Sequence, residues 1–482
     1  MPVDTLHPEY ETAAPRWQRC RDAVAGQDAV HKGDTRYLPK LTEQTDPEYA
    51  AYKRRALWFG ATGRTWGGYM GMVFRKAPTV DAPAALAGFL ADLNLAGRTA
   101  EGVAREIMGD VLAVGRVGAL VEYPQEPGGP MTLAQAQAMN RRAFVSLYRA
   151  EAIRMWRVQR VGNVMQPTLV VLDEQAQEPD PADLFVMVSV RQLRALMLVP
   201  GEAGPMYVQR VYRKATEGES AGKWLQIGAD IVPRMNGSPL REIPFVCFGP
   251  DSLGFDVQLP PITDLVDVNF GHYLNTADLE HGAHFTGLPT PYITGAQQEE
   301  NQRAFALGSA TILLIPNPDA KPGFLEFSGQ GLTALENRCK AKEAMMAALG
   351  ARMLAPEKAG VEAADTLALR GNGEASVLAG IANVVSRGME RLLSLVAQWE
   401  GISGAIRFQL NTDYMPAGLT AQELTALMGA WQAGAISWNT LFDNLKRGEV
   451  IPADVDADAE QARIETNPPA MPTMPAGNAQ AA

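Results

Sequence analysis

PPITDLVDVNFGHYLNTADLEHGAHF (residues 260–285) and TALENRCKAKEAMMAALGARML (residues 333–354) decide how this chain is read. In the first, Ile262, Val266, Phe270, Tyr273 and Ala277 recur three or four residues apart, the spacing of one helix face. Pro260 and Pro261 stand where a first turn tolerates a missing N–H, so a helix is predicted over 261–285. Asp264, Asp267, Asp278 and Glu280 make it acidic, with no Lys or Arg in compensation. In the second stretch Leu335, Cys339, Lys342, Met346, Leu349 and Met353 form a seam suited to lengthwise helix packing. Arg338, Lys340, Lys342 and Arg352 outnumber Glu336 and Glu343, so this helix can pair with its acidic predecessor within a chain or between chains. The intervening residues 288–330 read as a compact insert, with a strand at 311–315 and turns at 316–323.

On the N-terminal side, residues 8–75 read as Tyr- and Trp-rich helices punctuated by turns at Gly60, Gly63, Gly67 and Gly68. Residues 83–114 continue the helical pattern through Leu86, Leu90, Leu93, Val103, Ile107 and Val111. Short β-branched runs then follow at 118–123, 155–161, 168–172, 184–190, 196–199 and 207–212, with turns at Gly162-Asn163 and 218–222. These predict an antiparallel meander, and a further apolar run lies at 243–248. On the C-terminal side a long helix is predicted from 375 to 399, with Leu378, Ile381, Val385, Leu392, Val396 and Trp399 on its apolar face. Ala379, Gly380, Ala382 and Gly388 permit close approach to it. A strand at 405–410 precedes two short helices, the first opened by a Thr420/Glu423 capping box and the second by Ser437.

A chain of 482 residues exceeds the roughly 250–300 over which one core grows, and 46% hydrophobic with 20% charged residues marks a folded protein. The opening MPVDTLHPEYETAAP has neither the basic start nor the apolar run of a secretory signal. The longest apolar stretches, such as 310–316, fall short of the ~20 residues that span a bilayer, so no membrane partner is expected. Cys20, Cys247 and Cys339 lack any CxxC or His-paired spacing and read as buried thiols. A net charge of −11 argues against a protein that grips DNA tightly, because such proteins place Lys and Arg on phosphates.

No catalytic arrangement stands out. Gly218, Gly222 and Lys223 are one residue short of a phosphate loop, and Trp224 stands where Ser or Thr must hold magnesium. His281 and His284, near Asp278 and Glu280, lack the spacing of a zinc site. Asp454, Asp456, Asp458 and Glu465 match four positions of a calcium loop, but Ala459 replaces its glycine and Pro468-Pro469 opposes an exiting helix. A solvated acidic segment is the preferred reading. Trp17, Trp58, Trp66, Trp156 and Trp224 read as packing residues, since base-stacking sites come with basic grooves. No cofactor, no metal site and no enzymatic activity are expected.

Four stretches carry a family resemblance: LWFGATGRTWGGYMGMVFRKAPTV (57–80), GDVLAVGRVGALVEYP (109–124), YRAEAIRMWRV (148–158) and LPPITDLVDVNFGHYLNTADLEHGAHFTGLPTPYITG (259–295). With the order of segments, they resemble the portal, or head-to-tail connector, proteins of tailed bacteriophages. The resemblance implies an α+β portal-type fold. Its mixed α/β wing would comprise 1–250 with the long helix and strand of 375–418, and its two-helix stem 260–286 and 332–354, packed through Leu335, Cys339, Met346, Leu349 and Met353. A small α/β clip would occupy 287–331 and a helical crown 419–466, with a disordered tail at 467–482. A channel loop at 355–374 would carry Glu357, Lys358, Glu362, Asp365, Arg370 and Glu374, whose net −2 a ring would multiply. The implied partners are further copies of the chain in a ring, usually of twelve, double-stranded DNA held without sequence preference, the terminase motor, the major capsid protein and head-tail adaptors. The implied place is the virion's capsid vertex, after assembly in the host cytoplasm. In such a ring the seam of 333–354 would be covered by neighbouring subunits. Two other readings stand beside this one: another structural head-completion protein, and an enzyme of phage DNA metabolism, which would need a phosphate loop or carboxylate cluster.

Overall fold

The computed structural model describes residues 2–124, 139–180, 183, 185–201, 204–216, 220–235, 237–286, 290–294, 313–315, 322–325, 330–352, 376–414, 421–448, 450–451 and 455–466. It separates into two compact units, Met1–Thr412 and Asp413–Ala482. At 48% helical and 24% strand, with helices and antiparallel strands in separate runs, the class is α+β.

The chain opens with α1 (Pro8–Ala25), capped by His7 and ended at Gly26, whose φ of 96° suits glycine. There follow α2 (Gln27–Lys32), α3 (Asp46–Arg55), opened by a Thr45/Glu48 capping box, and α4 (Ala61–Val73). Gly63, Gly67 and Gly68 lie inside α4 rather than at turns. Gly63 explains part of this: a Cβ there would stand 2.8 Å from the Val24 carbonyl oxygen, so the absent side chain lets α4 cross the end of α1. Residues 83–114 are likewise not one helix. After β1 (Thr79–Asp81) and a 3-10 turn at Ala84–Leu86, α5 (Ala87–Ala91) stops, and α6 (Ala100–Val114) starts afresh. The break is held by Asn94 Oδ1, which accepts from the N–H groups of Ala96 and Arg98, with Leu95 and Gly97 at positive φ. Thr99 then caps α6 by accepting from the Gly102 N–H at 3.1 Å. Thr99→Ala is expected to cost about 1 kcal/mol of stability, read as a lower urea midpoint at unchanged slope.

The strand region is two main sheets and one short hairpin rather than one meander. In chain order the strands are β2 (Val117–Glu122), β3 (Phe144–Arg149), β4 (Ile153–Val161), β5 (Val164–Pro179), β6 (Met187–Gly201), β7 (Gly204–Lys214), β8 (Trp224–Ile231), the short pair β9 (Arg234–Met235) and β10 (Ser238–Pro239), and β11 (Phe245–Phe248). β4 to β8 form an antiparallel sheet in sequence order, its first hairpin turning at Gly162-Asn163. Residues 187–190 of the run expected at 184–190, and the run at 196–199, are parts of the single strand β6. β2 leaves the meander and sits between β11 and β3, with all but its last residue buried. Such a strand reads as a continuous apolar run because neither face meets water.

Next come α7 (Thr263–Thr286), the strands β12 (Thr290–Thr294), β13 (Leu313–Ile315) and β14 (Pro322–Leu325), and α8 (Gln330–Arg352). The three strands form one mixed sheet, β12 central, parallel to β13 and antiparallel to β14. The turn region expected at 316–323 therefore ends in a strand. The chain then returns through α9 (Val377–Trp399), packed on α6 and β11, and through β15 (Arg407–Gln409), antiparallel to β1 with Val80 opposite Phe408.

In the second unit α10 (Ala421–Gln432), α11 (Trp438–Arg447) and α12 (Ala457–Thr466) gather around Trp431, Trp438 and the buried Leu441 and Phe442. Ser437 caps α11 and Asp456 caps α12, its Oδ1 accepting from the Asp458 and Ala459 N–H groups. A helix thus begins inside the segment whose carboxylates matched a calcium loop. Thr420 and Asp454 lie outside the described residues, as does the tail from 467.

Candidate functional site

α7 and α8 form an antiparallel pair, and the contacts along them fix the register. Leu265 packs with Met346 and Leu349, the Lys342 ammonium donates to the Gly271 carbonyl at 2.5 Å, and Thr276 meets Cys339 at 3.8 Å. Further along, a Cβ on Gly282 would stand 2.8 Å from Leu332. Burial of the ammonium against the helix lowers the Lys342 pKa.

The face of α7 turned from α8 rests on the N-terminal helices. Phe270 and Tyr273 sit among the rings of Tyr37 and Trp58, with Phe270 centroids 4.6 and 4.9 Å away. Asn269, fully buried, donates to Thr62 Oγ1 at 2.8 Å. Tyr52 donates to Asp278 at 2.6 Å, and Arg19 pairs with Asp267 at 2.5 Å. Tyr69 donates from α4 to the Gly350 carbonyl of α8 at 2.6 Å, and burial pushes its hydroxyl up to about 12. The chain enters α7 over another fixed point: Arg116, buried and 4.1 Å over the Trp156 ring, donates to the Phe255 carbonyl at 2.6 Å.

Of the seam residues, Cys339 and Met346 are buried, Leu335 and Leu349 are half-buried, and Met353 lies outside the described residues. Cys339 and Met346 are covered within the chain, by α7 and by Phe59 and Ala61, while Leu335 and Leu349 stay partly open. Apolar spacing marks a face to be buried and is silent on which chain buries it. The charge pairing also differs from expectation, since Asp267 and Asp278 find partners on α1 and α3. Where α7 and α8 meet through an ionisable pair it is His272 Nε2 and Glu343, 3.2 Å apart. His272, Asn269 and Thr276, a buried polar row on α7, carried no sequence signal beyond lying beside apolar positions. Glu357, Lys358, Glu362, Asp365, Arg370 and Glu374 all lie outside the described residues.

His281 accepts from the Arg55 guanidinium at 3.2 Å, packs edge-on to Tyr52 and Phe285, and has His284 and Asp278 nearby. Burial first, then the Arg55 charge, lowers its pKa below 6.5. Above 6.5 the imidazole is neutral whether or not the chain is folded, so it contributes no pH dependence there. Below 6.5 the unfolded state takes up the proton first, and stability falls. Hydrogen-exchange protection of the C-terminal half of α7 should therefore drop as the pH falls below about 6.5. His281→Gln should flatten that dependence.

A family model described as a domain of unknown function, DUF4055, matches residues 261–400. No curated protein matches the chain. Among solved structures it is similar to a chain in the neck of a native GTA particle computed with C12 symmetry. The identity is 13% and the TM-score 0.39, over 82% of this chain and 92% of that one. It is also similar to a chain in the neck of an empty GTA particle computed with C6 symmetry, at 14% identity and a TM-score of 0.37, with the same coverage.

Proposed function

We propose that this chain is the portal subunit of a tailed bacteriophage: a non-enzymatic ring component at the capsid vertex, through which the genome is packaged and ejected. The observation that carries the reading is the layout of one segment. α7 and α8 run out and back as a packed antiparallel pair, the strands of the small sheet lie between them in sequence, and α9 with β15 returns the chain to α6, β11 and β1. Such a pair, repeated about an axis, makes the wall of a tube while the rest of the chain forms its rim. The net charge of −11 suits a conduit for a polyanion, because each phosphate ion pair formed would have to break at the next step of passage. The sequence resemblance supplies the partners: terminase on one side, the major capsid protein around it, and head-tail adaptors beyond the small sheet. Native mass spectrometry tests the reading. A species near twelve times the 52.0 kDa chain mass is expected, and a chain that stays single at every concentration would overturn it.

A further inference from the structure

The five-stranded sheet ends in two tips of opposite character. At one end the β5–β6 hairpin outruns its neighbours: β4 pairs with β5 only from Val164 to Leu172, and β7 reaches β6 only from Gln192 onward. Residues 175–179 and 187–191 thus form a two-stranded ribbon, with both outer edges unpaired among the described residues. Its tip exposes Phe185 at 98% and Met187 at 56%, with Val186 and Val188 beside them. The ribbon and its tip hold Glu178, Asp180 and Asp183 against Arg191; Glu178 is ion-paired with Arg213 of β7 and Arg191 with Asp173 at the base. At the other end, the β4–β5 hairpin exposes Val158, Val164 and Met165, the last at 64%. The run 154–168 there holds Arg154, Arg157 and Arg160 and no Asp or Glu, with Arg157 and Arg160 exposed.

We propose that these two tips bind each other between copies, the acidic apolar ribbon of one chain seating on the basic apolar hairpin of the next. β5 has 16 residues, so a rise of ~3.3 Å per residue holds the tips roughly 50 Å apart and one chain cannot join its own. An apolar strand tip with free edges is a template for association unless something covers it. The opposite charges name the cover, a second copy, and set its direction, since two acidic or two basic tips repel. Because the surfaces differ, the contact is head-to-tail, and a fixed rotation closes it into a ring. Only that closure rests on the portal reading; the pairing stands on the sheet itself.

Charge reversal in the full chain tests it by native mass spectrometry and sedimentation, with circular dichroism confirming that each variant is folded. Arg157→Glu with Arg160→Glu, or Asp180→Arg with Asp183→Arg, should each weaken self-association by about a hundredfold or more. All four changes in one chain should restore it. Phe185→Cys with Met165→Cys should give disulfide-linked oligomers under mild oxidation, the native thiols at 20, 247 and 339 being buried. Rings that persist unchanged in the single-tip variants would overturn the pairing and leave the portal reading standing. Open filaments cross-linked tip to tip would support the pairing and count against the ring. A wild-type chain that never associates would remove both.

Discussion

Gly388→Ala is expected to lower folding stability by about 2 kcal/mol, although alanine is the better helix former by about 1 kcal/mol. Gly388 lies on the buried face of α9, where a Cβ would stand 2.0 Å from Phe248 Cε1 and 2.7 Å from Cδ1. Phe248 is fully buried in β11, so either the ring leaves its rotamer or α9 lifts from the sheet. Gly380 supplies a control on the same helix. Nothing lies within 4 Å of its would-be Cβ, so Gly380→Ala should raise stability by up to about 1 kcal/mol. Phe248→Leu placed beside Gly388→Ala should recover part of the loss, a coupling that a double-mutant cycle reads directly. An unchanged or raised melting temperature for Gly388→Ala would mean that α9 does not pack on β11 as described.

Met346→Asp is expected to cost about 4 kcal/mol and to release α8 from α7, because a carboxylate would be buried in an apolar cluster while the nearest cation on the seam, Lys342, is held by the Gly271 carbonyl. Met346 is 1% exposed and closes a cluster with Leu265 and Ala61 that ties both long helices to α4. Leu349→Asp should cost less, since Leu349 is half-buried at the edge of that cluster and its carboxylate could turn toward water. Hydrogen exchange distinguishes local from global damage. Protection should collapse across Gln330–Arg352 and in facing α7 while β4 to β7 keep theirs. Full protection of α8 in the Met346→Asp chain would contradict the packing.

The same two helices were the most legible part of the chain. Ile262, Val266, Phe270, Tyr273 and Ala277, read as one face from spacing alone, are all buried. Gly388 was legible too, as a small residue permitting close approach, though its neighbour Phe248 was not, because the contact spans residues far apart in sequence. Elsewhere physical rules competed. The glycines of α4 carry the local signal of turns, and at Gly63 packing against α1 overrode it. The polar half of β5, from Asp173 to Pro179, gave no strand signal because its half-covered face is lined by Glu174, Ala176 and Glu178, which meet polar partners such as Arg194 and Arg213, and no apolar alternation is required. The break before α6 depends on Leu95 adopting a positive φ, which non-glycine residues seldom do and sequence does not advertise. For the candidate site, the seam residues were readable as an apolar stripe, whereas the partner covering them was set by the N-terminal helices folding back. The polar row of Asn269, His272 and Thr276 was invisible because polar residues between apolar ones are read by default as facing solvent.

Electron micrographs of the purified wild-type chain should show closed rings with an axial hole wide enough for duplex DNA, each subunit contributing α7 and α8 to the wall around it. Single compact particles without a hole, with α7 and α8 enclosed in a solid globule, would contradict the portal reading.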